Sequence, residues 1–114
     1  MKYTPRRVIL WVKDAKKLAT WYKETFGFTL RPSEDPDAWI ELETGGFIIA
    51  LHNGANVTAR AWPKLQFEVP DLAEGRKELE AKGLTLSKTW DWKGMQWIQF
   101  EDPERNVIQI CTKR

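Results

Sequence analysis

The order strand, helix, strand, strand, strand is written into this chain twice, at a spacing of about 57 residues counted from Val12 to Val69. In the first half Val8, Leu10 and Val12 alternate with Arg7, Ile9 and Trp11, the period of a strand. Asp14 is placed to cap a helix in which Leu18, Trp21 and Tyr22 share a face, and Gly27 supplies its stop. Residues 28–31 predict a short strand, 33–37 (SEDPD) a turn, and 39–43 and 47–52 two strands joined at Gly45-Gly46. After a polar link over 53–63, Leu65, Phe67 and Val69 alternate again. Asp71 then caps a helix containing Leu72, Leu79 and Ala81, and Gly83 stops it. Residues 84–88, 95–101 and 107–112 predict the last three strands. Each first strand ends in Val-x-Asp, and each helix ends in glycine, an apolar residue, threonine and leucine (GFTL and GLTL). An internal duplication is the simplest source of that agreement. The expected class is α+β: two βαβββ modules, 1–54 and 63–114, within one domain.

Composition narrows the function. A chain of 114 residues with 42% hydrophobic residues can bury one core and is too short for two independent domains. Lys and Arg total 18 against 16 Asp and Glu, interspersed, so nothing demands nucleic acid. The longest apolar run, 47–51, is far below the ~20 residues of a membrane span, and residues 1–8 lack a secretory apolar region. A soluble cytoplasmic protein without a membrane partner is expected. The single cysteine, Cys111, excludes an intrachain disulfide and reads as a small buried hydrophobe on the last strand. One histidine and one cysteine, with no local signature round either, support no nucleophile–base arrangement. Seven tryptophans in so short a chain are the anomaly to be explained.

The segments VILWVKDAKKLATWYKETFGFTL, FEVPDLAEGRKELEAKGLTL and FEDPERNVIQI resemble the equivalent parts of the vicinal oxygen chelate superfamily, which holds glyoxalases, bleomycin-resistance proteins and extradiol dioxygenases. The most specific pieces are Val12-Lys13-Asp14, Val69-Pro70-Asp71 and the Asp102-Pro103 turn, and the likeness spans nearly the whole chain. The resemblance implies paired modules whose mixed sheets curl round a central cup, usually in a homodimer. It also implies four positions for metal ligands, normally two His and two Glu, one on the first and one on the last strand of each module. Counted from the anchors, those positions hold Arg7, Ala50, Lys64 and Gln109. Two cations, a methyl and one amide oxygen would not hold a hard divalent ion. A shift of two residues brings in His52, and one His with one Gln still makes no catalytic site. No metal and no other cofactor are therefore expected.

Because strand side chains alternate faces, one register fixes the lining of the implied cup. If Val8, Leu10 and Val12 lie under the first helix, then Arg7, Ile9 and Trp11 face the cup, as do Trp39, Glu41, Ile48, Ala50 and His52. The second module contributes Lys64, Gln66, Glu68, Trp97, Gln99, Val107, Gln109 and Cys111. Trp90 and Trp92, on the expected connection TWDWKG, and Trp62 in the link would cover the cup mouth or a dimer contact. Trp21 is assigned to the core under the helix, and Trp11 has a second possible place at the strand end against the helix.

Aromatic faces among a few oriented polar groups suit a planar ligand. The leading expectation is metal-independent binding of an aromatic small molecule by Trp39, Trp97, Trp90, Trp92 and Trp11 with Arg7, His52, Lys64, Gln66, Gln99 and Gln109. Sequestration of an antibiotic, as in the bleomycin-resistance branch, would be one use. Bleomycin itself is a cation that needs a negative cup, whereas this chain carries +2. Two alternatives stand beside it. One is a cofactor-free isomerase, cyclase or hydrolase with Glu41 or Glu68 as general base and Arg7 or Lys64 stabilising an oxyanion. The other is a regulatory dimer without a small ligand. Glu41 and Glu68 have a structural reading too, as ion-pair partners of Arg7 and Lys64.

Overall fold

The computed structural model describes residues 1–2, 4–54 and 64–112. The chain divides into two compact units, residues 1–59 and 60–114, each built as strand, helix and three strands. In the first unit β1 (Arg7–Val12), β2 (Thr29–Leu30), β3 (Trp39–Glu43) and β4 (Ile48–Asn53) form a sheet of order β1-β4-β3-β2. β1 runs parallel to β4 and the other neighbours are antiparallel, so the sheet is mixed.

The alternation of β1 decides which face takes the helix. Leu10 and Val12 are buried while Arg7, Ile9 and Trp11 are exposed. Helix α1 (Ala15–Phe26) covers the buried side, with its own Leu18, Ala19 and Tyr22 against Ile40, Leu42, Ile49 and Leu51 from β3 and β4. Each such aliphatic side chain taken from water contributes about 1.5–3 kcal/mol. Asp14 caps α1 by accepting from the Lys17 amide at 3.1 Å. Gly27, at φ 74°, ends it in the left-handed conformation that a side chain would oppose. Asn53 is a tie the sequence did not reveal: its Oδ1 accepts from the Ala15 amide at 2.8 Å, and its side-chain amide donates to the Asp37 carbonyl. The end of β4 is thereby fastened to both the helix start and the 33–37 turn.

Trp21, expected in this core, is instead half-buried, lying edge-on to Tyr22 and Phe26 with ring centroids 5.0 and 5.9 Å away. The fully buried ring is Tyr22. Adjacent helix positions differ by about 100° of azimuth, so only one of the pair can point at the sheet, and the 15-18-19-22 stripe selects Tyr22.

The second unit repeats the plan: β5 (Leu65–Glu68), α2 (Leu72–Ala81), β6 (Trp90–Trp92), β7 (Met95–Glu101) and β8 (Val107–Cys111), in order β5-β8-β7-β6. Leu65, Ile98, Phe100, Ile108 and Ile110 form the buried face with Leu72 and Leu79 of α2. The Asp71 carboxylate caps α2 through the Glu74 amide at 3.1 Å. Between β7 and β8 the buried Asp102 carboxylate accepts from the amides of Glu104 and Asn106, at 2.8 and 2.9 Å, and from the Asn106 side chain at 2.6 Å.

Residues 84–88, expected as a strand, are not one, and the strand before β7 is Trp90–Trp92 inside the segment expected as a connection. Two local preferences explain the exchange. Lys93 and Gly94 both have positive φ, 50° and 88°, the two-residue turn that closes a tight hairpin between β6 and β7. At Ser87 the hydroxyl, not the carbonyl, accepts from the Gln99 amide at 2.8 Å, while Arg76 takes the Ser87 carbonyl at 2.8 Å. The ladder therefore stops after the single return bond from the Ser87 amide to the Gln99 carbonyl.

Candidate functional site

Helices cover one face of each sheet, and the residues that carry chemistry stand on the other. In the first unit the register puts Trp11 and Trp39 both opposite His52, and Glu41 opposite Ala50. The Trp11 and His52 rings stack with centroids 4.1 Å apart and planes 23° apart, and Trp39 meets His52 edge-on at 5.3 Å. Trp11 remains 56% exposed. A Cβ added at Gly54 would lie 2.6 Å from Trp11 Cε3, so glycine there is what lets the indole lie across the end of β4. The alternative place for Trp11, against the helix, is excluded by its face: Leu10 and Val12 point to α1 and Trp11 points away.

Beside the aromatics lies an ion-pair chain. Glu41 accepts from Arg7 Nε at 3.1 Å and faces Arg31 Nε at 3.4 Å, and Arg31 reaches Glu43 at 3.1 Å. The Arg7 guanidinium sits 5.9 Å from the Trp39 ring centroid. Glu41 is thus held between two guanidiniums. Arg31 was not among the expected residues, yet its signal was present: it lies two positions after Thr29, which pairs with Glu43, and so shares the face of Glu41.

In the second unit Gln66 and Glu68 (β5), Gln109 and Cys111 (β8), Trp97 and Gln99 (β7) and Trp90 and Trp92 (β6) share the helix-free face through the pairs Gln66–Gln109, Gln99–Gln109, Glu68–Cys111, Trp97–Cys111 and Trp90–Trp97. Three amides form a chain: Gln66 Nε2 donates to Gln109 Oε1 at 3.0 Å, and Gln109 Nε2 donates to Gln99 Oε1 at 2.9 Å. Trp90 and Trp92 are 44% and 51% exposed, with Lys88 Nζ 4.2 Å from the first ring and Lys93 Nζ 4.9 Å from the second. Burial, and then the Glu68 carboxylate, hold the buried Cys111 thiol above its ordinary range, which disfavours the reactive thiolate.

Lys64 is exposed just before β5. Among the described residues no ion pair joins it to Glu68, so the expected second charge pair does not form while the Arg7–Glu41 pair does. Lys64 precedes the β5–β8 register, whose first pair is Leu65–Ile108. Trp62 lies outside the described residues.

The ligand positions implied by the resemblance can be tested on chemistry. Arg7 is a cation committed to Glu41, Ala50 offers a fully buried methyl, Lys64 is a second cation, and Gln109 has both ends of its amide engaged. Among the described residues no three His, Cys, Asp or Glu side chains gather in a metal-binding group. This donor set does not fit a hard divalent ion.

Two helix-backed mixed sheets from repeated βαβββ modules define the vicinal oxygen chelate class. The glyoxalase-like domain family matches residues 7–111, and the chain belongs to it. Among solved structures, fosfomycin resistance protein FosX from Listeria monocytogenes superposes with a TM-score of 0.81 at 16% identity, over 100% of this chain and 96% of that one. Lactoylglutathione lyase from Agrobacterium tumefaciens gives 0.80 at 17%, covering 97% and 94%. An integron cassette protein from V. cholerae gives 0.76 at 23%, covering 100% and 98%. At these identities the likeness is one of fold. A comparison with curated protein sequences returns no match.

Proposed function

We propose that this protein binds a planar aromatic small molecule without a divalent ion, as a sequestering protein does. The observation that carries this reading is the exposure of indoles on helix-free faces that also hold fixed polar groups. Trp11 and Trp39 flank His52 in one unit, with Arg7 at the Trp39 ring, and in the other Trp90 pairs with Trp97, whose strand also carries Gln99. Water-exposed indoles cost solubility unless something covers them, and stacking on a flat ring contributes about 1–3 kcal/mol per aromatic contact. Fosfomycin resistance proteins share this fold, and one of them is solved with Mn(II) and a dihydroxypropylphosphonic acid, so they support small-molecule binding and not the absence of a metal. The cofactor-free enzyme reading is weaker, because its first candidate base, Glu41, is already engaged by two arginines.

The reading includes a cytoplasmic homodimer. Strand β6 is a short sheet edge with two exposed tryptophans, and pairing with a second copy would protect it. Among the described residues no helix is long and apolar enough to cross a membrane. The test is quenching of intrinsic tryptophan fluorescence by a panel of planar fused-ring compounds, followed by Trp39→Ala and Trp97→Ala. Each substitution is expected to weaken binding about tenfold or more, at ~1.4 kcal/mol per decade, with the fold retained. Unchanged affinity in both variants, for a compound that binds the parent protein, would defeat the reading.

A further inference from the structure

We propose that the glutamine chain of the second unit reads a lactam edge, so that the planar ligand is a fused heterocycle carrying adjacent ring N–H and C=O groups; this rests on the aromatic-binding reading above. The starting point is Gln109, a side chain only 6% exposed, held by one amide on either side. An amide side chain has two donor hydrogens and an oxygen with two lone pairs. Within the chain Gln109 spends its oxygen on Gln66 and its nitrogen on Gln99. Gln99 spends one lone pair and keeps its whole NH2 group and its other lone pair. Among the described residues no buried side-chain nitrogen or oxygen lacks a partner, so the unengaged Nε2 of half-buried Gln99 is accessible from outside.

A carboxamide with a free N–H and a free lone pair matches a cis-lactam, donor to acceptor and acceptor to donor, the same bidentate logic by which amide side chains read base edges. Trp97 lies two residues before Gln99 on the same strand and face, about 6.6 Å away along the chain. A fused bicyclic ring stacked on that indole would bring its edge to the amide. A ring without a lactam would leave the Gln99 donor facing an apolar edge, a mismatch more costly than the loss of a contact. The buried Gln109 fixes Gln99 by hydrogen bonding, so the reader is preorganised. It also polarises the terminal amide through the chain.

The probes are quinolin-2(1H)-one and its N-methyl derivative, which keep the same flat surface and differ in the ring N–H. Titration of the full chain by tryptophan fluorescence is expected to give at least tenfold tighter binding of the N–H compound. Gln99→Leu removes both the acceptor for the ring N–H and the donor to the ring carbonyl. That variant is expected to bind both compounds with equal, weaker affinity, because neither the ring N–H nor the ring carbonyl finds a partner there, while circular dichroism matches the parent. Equal binding of the two probes by the parent protein overturns the lactam proposal and leaves aromatic binding standing. A preference that survives in Gln99→Leu also overturns it. Binding of neither probe, at concentrations where other flat rings quench, overturns it as well, whereas no quenching by any flat ring removes the aromatic-binding reading with it.

Discussion

Replacing Glu41 by glutamine separates a strut from a base. The carboxylate takes two arginines at 3.1 and 3.4 Å, with its own side chain 13% exposed and each guanidinium 32% exposed. A pair in full solvent contributes about 0.2–1 kcal/mol, and removing one member of a fully buried pair costs about 3–5. This triad lies between those limits, and the glutamine oxygen still accepts from one arginine, so a loss of about 1–2 kcal/mol is expected. With a urea m-value of about 1.5 kcal/mol/M for a small domain, the unfolding midpoint should fall by about 1 M. Far-UV circular dichroism in urea reads it directly. Arg7→Met should cost a similar amount, and the double variant less than the sum, because the two changes remove one interaction. Binding of a planar ligand should weaken less than tenfold. An unchanged midpoint in Glu41→Gln, together with loss of a turnover shown by the parent protein, would refute the structural role.

Tyr22→Ala should cost about 3–5 kcal/mol in the same urea assay and Trp21→Ala clearly less, since the first ring is fully buried and the second half-buried; equal losses would contradict the assignment of the helix face. Gly54→Ala should push Trp11 off His52, because the new Cβ would lie 2.6 Å from the indole; the ring-current shifts of the one histidine, seen by proton NMR, should move toward free values. Cys111 should react slowly with a disulfide reagent at neutral pH. Its thiol is raised on folding, so the stability it contributes is present below the ordinary thiol range and is lost as pH rises from there through the raised folded value. Cys111→Val should remove that part of the alkaline loss in urea midpoint, and a parent protein whose alkaline loss is no larger than the variant's would contradict it.

Much of this fold was legible because its signals are local. The Val-x-Asp entries fix the strand-to-helix joints, as the Asp14 and Asp71 caps bear out. The alternation in β1 and β4 fixes the face on which Arg7, Trp11, Ala50 and His52 stand. What escaped depended on competition between neighbours. Leu84 and Leu86 carry a strand pattern, but the Ser87 hydroxyl and Arg76 take the hydrogen bonds a ladder would need, and the Lys93-Gly94 turn pairs Trp90 with Trp97 instead. Trp21 and Tyr22 carry similar apolar weight, and only the helical azimuth decides between them. Arg31 and Asn53 act through pairings set by the register of β2 and β4, which no single segment states. The glutamines were placed by alternation, while their linkage into one hydrogen-bonded chain required the β5–β8–β7 register.

The central claim, that aromatic binding here is independent of metal, is tested most directly by titrating the chelator-treated protein with a planar ligand while following tryptophan fluorescence, with and without added Mn(II) or Zn(II). Saturable quenching with the same midpoint in both conditions is predicted, because Arg7, Ala50, Lys64 and Gln109 offer a divalent ion no adequate ligand set. Binding that disappears in chelator and returns with one equivalent of metal would contradict the account.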